Sequence, residues 1–407
     1  MMDKQSFFTG LGRNIIIVGF VSLFTDLSSQ MVFPVVPLFL LSLGASAWVI
    51  GLVEGAAETT ASLLKVFSGY WSDKIKRRKP FVFAGYTLSS ITKPLFAIAQ
   101  TWPFVLLFRV VERVGKGVRD APRDAIVAES VDVSIRGKAY GFQRAMDGFG
   151  SFSGAILAVV FLTYFASSNQ LASYRNLFLL AFFPGIIGVV FILFIKEKQQ
   201  PGLTQKHHTT PFRVSMKALP RNLQIFILVS TIFSLGNFGY AFLILKAKNM
   251  NFSDIDALLL YVLFYVVYTI CTIPAGMLSD KIGRKPVLVT GYVLFAATAV
   301  CLLFTSQLIM LVVVFILYGV FFGIIDGVQR AFVVDLAPPD LKGTALGTFH
   351  TATGLIALPA GFIAGILWVT YSPQATFLFA LALALVSLLM FAFVKNTKQP
   401  KEMNTGR

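Results

Sequence analysis

The sequence predicts an all-α integral membrane protein. It should have twelve transmembrane helices in two pseudo-symmetric six-helix bundles, with both termini cytoplasmic. Three observations carry that prediction. The chain is 56% hydrophobic and only 13% charged, where about a quarter of a soluble domain is charged, and its mean hydropathy is +0.75. Apolar runs long enough to cross a bilayer recur along its whole length. A short basic cassette also occurs twice, as "GYWSDKIKRRKP" at Gly69–Pro80 and "GMLSDKIGRKP" at Gly276–Pro286. A chain this apolar cannot hide its surface in one aqueous domain.

Crossing about 30 Å of hydrocarbon takes about 20 apolar residues in a helix. Twelve spans meet that length, at 14–41, 48–72, 80–99, 102–128, 137–165, 172–195, 221–248, 254–279, 286–305, 307–335, 341–369 and 373–394. The first is long enough to span and lacks a small-residue cleavage site, so it reads as a retained helix and not a signal peptide. Lys196–Pro220 is polar and carries Pro and Gly, the composition of a linker. It divides a bundle at 1–195 from one at 221–394, with a tail at 395–407. His207 and His208 lie in that linker and read as solvated side chains. Cys271 and Cys301 lie in apolar runs and read as small packing residues. No metal site and no cofactor is expected.

Orientation follows from the short loops. With the N-terminus inside, 23 of the 35 Lys and Arg fall in inner segments and three, Arg175, Lys246 and Lys248, in outer loops. The formal charge of +16 is therefore a topology signal, and a nucleic-acid partner is excluded. The other nine, Lys65, Lys93, Arg109, Arg113, Lys116, Arg119, Arg123, Arg144 and Arg330, fall within spans or at their ends.

The halves correspond at an offset of 206 to 207. Gly69, Asp73, Pro80, Gly85 and Tyr86 answer Gly276, Asp280, Pro286, Gly291 and Tyr292. Asp120 answers Asp326, and Glu129 answers Asp335. "RGKAYG" at Arg136 answers "KGTALG" at Lys342. Two parallel repeats of six spans are the architecture of a secondary transporter, in which one bundle rocks against the other around a central site.

These residues resemble the major facilitator superfamily over nearly the whole chain. Gly276–Lys285 is similar to that family's G-x-x-x-D-[RK]-x-G-[RK]-[RK] signature, and the first cassette departs from it at Lys76. "PVVP" at Pro34–Pro37 resembles the paired prolines of drug-efflux members. "RVVERVGKG" at Arg109–Gly117 resembles R-x-x-Q-G-x-G-x-G, with Glu112 and Arg113 replacing Gln and the first Gly. "GFGSFSGA" at Gly148–Ala155 is glycine-rich and lacks the G-P pair of many drug/proton antiporters. The resemblance implies a gate at the inner ends of the helices. Gly69, Asp73, Arg77, Arg78, Gly276, Asp280, Arg284 and Lys285 would form it, with Arg119, Asp120 and Arg123 of "GKGVRDAPRDA" close by. In an outward-facing state Asp73 should approach the start of span eleven near Leu341–Gly343, and Asp280 the start of span five near Ser134–Gly137. That lysine-containing stretch is not a phosphate loop, because neither spacing nor strand–helix context fits.

Ionisable groups at bilayer depth cost a few kcal/mol each on insertion scales and persist where they face a cavity or each other. Asp26, Glu54, Glu58, Arg109, Glu112, Arg113 and Asp147 are therefore the coupling candidates. Glu54 and Glu58 are four apart on one helical face. Four acids (Asp26, Glu54, Glu58 and Glu112) set against Arg109 and Arg113 would leave at least one protonated, and Glu58 is the expected carrier. The bland alternative is an ion-pair network that only locks the first bundle. Substrate-cavity candidates are Lys93, Arg144, Asn237, Phe238, Tyr240, Asp326 and His350. Span seven would add an apolar wall of Phe233, Phe238 and Tyr240.

The function expected is proton-coupled, alternating-access export of amphipathic or drug-like small molecules across a bacterial inner membrane. The proton gradient would supply the energy, and the partners would be the substrate, protons and membrane lipids, with the chain acting as a monomer. Transport of a small organic anion or siderophore-like carboxylate, held by Arg109, Arg113 and Lys93, is the alternative. A transporter-like receptor is more remote. An embedded enzyme is disfavoured, since no nucleophile–base pair or metal cluster sits at membrane depth.

Overall fold

A computed structural model describes residues 12–75, 77–132, 135–197, 216–339 and 341–395. Lys76, Ser134, His207, His208 and most of the linker and tail lie outside these residues. Within them the chain is all-helical. In order the helices are α1 (Arg13–Val32), α2 (Val36–Ser42), α3 (Ala47–Ile75), α4 (Lys79–Ile98), α5 (Trp102–Glu129), α6 (Arg136–Tyr164) and α7 (Gln170–Leu193). The second series is α8 (Arg221–Gly236), α9 (Gly239–Asn249), α10 (Asp254–Ile282), α11 (Arg284–Phe304), α12 (Leu308–Leu336), α13 (Lys342–Thr370) and α14 (Pro373–Phe391).

These make twelve spans, because α1–α2 and α8–α9 are each one broken span. Ten spans are long and apolar enough to cross a membrane by composition alone. The other two are α3 and α5, whose charges lower their hydropathy. Those charges, Glu54, Glu58 and Lys65 on α3 and Arg109 to Arg123 on α5, include most of the residues of interest below.

The helices cluster into two compact units. The first comprises Met1–Phe212, Phe238–Val262 and Gly354–Ser372; the second comprises Arg213–Asn237, Leu263–Thr353 and Pro373–Arg407. In the first unit α1 packs along α6 and α7, α4 along α5 and α7, and α3 along α5. Close helix contact here depends on missing side chains. A Cβ on Gly85 of α4 would lie 2.5 Å from the Gly115 carbonyl oxygen of α5, and the converse distance is also 2.5 Å. Small residues take this role in membrane helix packing because lipid supplies no hydrophobic drive for association. In the second unit α11 packs between α12 and α14, and α8 against α14. Its core is aromatic: Phe233 stacks on Tyr292 at 3.9 Å between centroids, with Phe295 and Phe321 around them.

Each unit is closed at its cassette end by the same three contacts. Asn14 brackets the backbone after α7, accepting from Lys196 N at 3.0 Å and donating to Lys196 O at 2.7 Å. Asn222 does the same to Lys395 after α14, at 2.7 and 3.0 Å. The cassette lysines bind the last carbonyls of those sixth spans. Lys79 Nζ reaches Leu193 O and Ile195 O at 2.9 and 2.8 Å, and Lys285 Nζ reaches Val394 O at 2.5 Å. A cation there satisfies orphan carbonyls and meets the negative end of the helix dipole. The third contact is an arginine bridge. Arg78 joins Asp73 to Glu129 (3.1 Å), and Arg284 joins Asp280 (2.7 Å) to Asp335 (3.2 Å).

The α4–α5 contact gives the first prediction. Gly85→Ala should force the two helices apart and cost about 1–3 kcal/mol, the usual penalty of overpacking. A lowered thermal midpoint in detergent would show it, whereas an unchanged midpoint would mean that the helices shift freely.

Candidate functional site

Two helix breaks occupy corresponding places in the two repeats. The chain leaves α1 at Phe33 and enters α2 at Val36; it leaves α8 at Gly236 and enters α9 at Gly239, whose φ is +68°. Discontinuous helices in matching positions mark binding sites in transporters, since their freed backbone groups and mid-membrane side chains face a cavity. The first break is written in "PVVP". Pro37 has no N–H to give the Phe33 carbonyl four residues earlier. Tyr240 OH, on α9, lies 3.4 Å from that oxygen.

Around the first break the first unit gathers its charges. Arg109, on α5, is fully buried. Its Nη2 is 3.0 Å from Glu54 Oε2 and 3.4 Å from Tyr240 OH, and its Nη1 is 3.4 Å from Glu112 Oε2. Arg113 Nε is 3.5 Å from the same Glu112 oxygen. Both guanidiniums lie over the Phe33 ring, at 4.1 and 4.5 Å from its centroid. Tyr240 OH is also 3.2 Å from Glu54 Oε2. Spacing explains the convergence, because Arg109, Glu112 and Arg113 are three and four apart and share one face of α5. The cluster holds two cations and two carboxylates. Of its four ions, Arg109, Glu112 and Arg113 are 0%, 1% and 7% exposed in their side chains, while Glu54 is 18% exposed. Glu54 is therefore the most accessible member of the cluster. Next to it, Tyr261 OH donates to Gln30 Oε1 at 2.8 Å, and the Tyr240 and Tyr261 rings meet at 5.3 Å.

The remaining predicted residues are distributed elsewhere. Glu58 is exposed, lies 3.5 Å from Ser62 Oγ, and stands outside the arginine cluster. Asp26 is also outside it. It lies one turn past the Ser22–Gln143 hydrogen bond (3.1 Å) between α1 and α6, in register with Asp147, to which Gln143 also donates at 2.7 Å. The expectation of four acids against two arginines is thus corrected to two against two, and the charge argument for a protonated Glu58 falls with it. Lys93 is fully buried and donates to Ser28 Oγ, and its charge acts on Glu112, the carboxylate that the two arginines share. Arg144 is exposed.

Phe238 is buried, and Asn237 accepts from Tyr318 OH at 3.4 Å in the second unit. Asp326 pairs with Arg330 at 2.9 Å, and half-buried His350 contacts Phe349. Arg119 departs from its expected place in a loop-end charge cluster. It is buried, stacks on Tyr86 at 4.3 Å, and donates to Ser89 Oγ at 2.6 Å. Its neighbour Asp120 is 3.9 Å away, and Arg123 pairs with Asp124 at 3.0 Å. Arg77 is exposed. Sequence reasoning missed Phe33, Gln30 and Tyr261. The proline pair pointed to the first, but nothing local distinguishes the other two.

The family model of the Major Facilitator Superfamily matches residues 18–257 and 225–407, and the chain belongs to that family of transporters, not to an enzyme family. It is 39% identical over 390 residues to an uncharacterized MFS-type transporter of Methanocaldococcus jannaschii, covering 94% of this chain and 95% of the relative. It is 24% identical over 317 residues to the cis,cis-muconate transport protein of Acinetobacter baylyi, covering 74% of each. A 126-residue stretch is 30% identical to the multi-drug resistance efflux pump PmrA of Streptococcus pneumoniae, 31% of each chain. The crystal structure of the nucleoside transporter NupG shares the fold, with a TM-score of 0.75 at 16% identity over 94% of this chain and 98% of that one.

Removing one partner from a buried ion pair strands the other charge. Arg109→Gln should destabilise the protein by about 3–5 kcal/mol. Glu54→Gln in the same chain should recover part of that loss, because the two positions are coupled. Thermal unfolding of the two single variants and the double variant measures the coupling, and strict additivity would refute the pairing.

Proposed function

We propose that this protein is a proton-coupled exporter of amphipathic, drug-like molecules in the cytoplasmic membrane of a prokaryotic cell, with both termini in the cytoplasm. One observation carries the reading. The carboxylate of Glu54 is the accessible member of an otherwise sealed ion cluster, and it is shared between Arg109 of the first repeat and Tyr240 of the second. A proton on Glu54 and a cationic amphiphile beside it each compete with Arg109 for the same carboxylate, so the two exclude each other. Exclusive occupancy of one carboxylate by proton or substrate is the condition for antiport. Tyr240, the partly exposed ring beside Glu54, offers an aromatic face for the apolar part of the substrate. The partial similarity to a multi-drug efflux pump supports this direction.

A second reading, transport of an organic anion, also has an observation behind it. Arg109 Nε makes no hydrogen bond among the described residues, so an anion that displaced Glu54 would find a guanidinium with a spare donor. The muconate-transporting relative supports that reading.

Reconstituted vesicles separate the two. Under an imposed pH gradient we expect movement of ethidium, an amphipathic cation. Glu54→Gln should abolish gradient-driven movement and weaken ethidium binding by about tenfold or more, since the neutral side chain mimics the protonated state, which excludes the cation. Gradient-driven ethidium transport by Glu54→Gln at the parent rate would sink the coupling role. Uptake of a dicarboxylate that survives Glu54→Gln but not Arg109→Gln would establish the anion reading instead.

A further inference from the structure

The first unit holds a second polar junction, at the end opposite the cassettes, that the ion cluster does not use. The corner between α9 and α10 is internally braced. Asn251 adopts φ +62°, and Lys248 Nζ donates to Phe252 O at 2.9 Å. Ser253 and Asp256 cap α10 reciprocally: Asp256 N donates to Ser253 Oγ, and Ser253 N to Asp256 Oδ2, each at 3.1 Å, in the manner of a capping box. The braced corner presents Asp254, 12% exposed in its side chain. Lys248 Nζ lies 2.7 Å from Asp254 Oδ1. The other oxygen accepts from Tyr174 OH and from Gln170 Nε2, four residues apart at the start of α7. Tyr174 is buried, with its ring edge-on to Phe39 of α2 at 6.3 Å.

We propose that Asp254 is the latch of a gate on the face opposite the cassettes. Gln170 and Tyr174 of the first repeat hold the α9–α10 corner of the second and so close that face over the Glu54 site. The inference rests on the alternating-access reading above. Two features mark a gate and not a static tie. The contacts join different repeats through charge-assisted hydrogen bonds, which are strong but separable. The corner also carries the site's tyrosines, Tyr240 at the start of α9 and Tyr261 two turns into α10. Lifting it would draw both away from Phe33, Glu54 and Gln30. Release of the latch and dismantling of the site are then one movement.

The test starts from a parent with Cys271 and Cys301 replaced by alanine. Leu171→Cys and Ile255→Cys, each next to a latch residue and leaving Gln170, Tyr174 and Asp254 in place, are added together and joined by a bis-methanethiosulfonate. We expect joining to stop ethidium movement and a reductant to restore it; full movement by the joined protein would overturn the gate. A substrate-free arm uses Gln30→Cys and an impermeant maleimide applied from the face opposite the cassettes. Asp254→Asn should raise the labelling rate about tenfold by populating the open face, and an unchanged rate would overturn the proposal. If the reduced parent moves no ethidium, the export reading fails and the labelling arm alone decides the gate.

Discussion

The guanidinium of Arg109 is wholly shielded from solvent. At bilayer depth a lone charge in that position is among the costliest things a helix can carry. Its neutralisation sets the arrangement around it. Glu54 must come from α3 and Glu112 from its own helix. Phe33 must cover the planar face, which requires the chain to break where α1 ends. A single oxygen of Glu112 serves both arginines, so loss of that carboxylate would take a partner from each of them and leave Arg109 with Glu54. The two spans too polar to count as membrane-crossing by composition are the two that supply these ions. They are tolerated because each provides what the other lacks.

The same constraint explains the second repeat's contribution. Pro37 leaves the Phe33 carbonyl without its helical donor, and a bare carbonyl at that depth has to be met by a side chain. Tyr240 lies within reach of it and also of Glu54 and Arg109. One phenol thereby reports on both the backbone break and the charge state of Glu54. It has one proton to donate, so a change at Glu54 redistributes its hydrogen bond.

Legibility from sequence followed the type of signal. Span number and repeat symmetry rest on long apolar runs and on matched motifs, and both were readable. The cassette bridges were half readable. Asp73 and Asp280 stand out as motif residues, but their arginines turn to Glu129 and Asp335, fifty-one residues further on, a link that only the repeat offset hinted at. The α5 cluster was readable because its members share one helical face. Its partners were not. Glu54 and Glu58 are equivalent by spacing, and only the packing of α3 on α5 turns one toward Arg109 and leaves the other exposed. Gln30 and Tyr261 are 231 residues apart, with no pattern to connect them.

The two ends of the protein are held by different chemistry, and the difference bears on the charge distribution. At the cassette end each unit carries the same asparagine, lysine and arginine contacts, so duplication preserved a fixed closure there. At the other end the tie through Asp254 joins α10 to the start of α7. Only three basic residues were assigned to that side, too few to be a topology signal in themselves. Lys248 pairs with Asp254, and Arg175 binds the Ala99 carbonyl at 3.1 Å. Two of the three exceptions to the charge asymmetry are thus explained by contacts they make and not by the membrane. The partner of Lys248 is Asp254, the residue that holds the α9–α10 corner to α7.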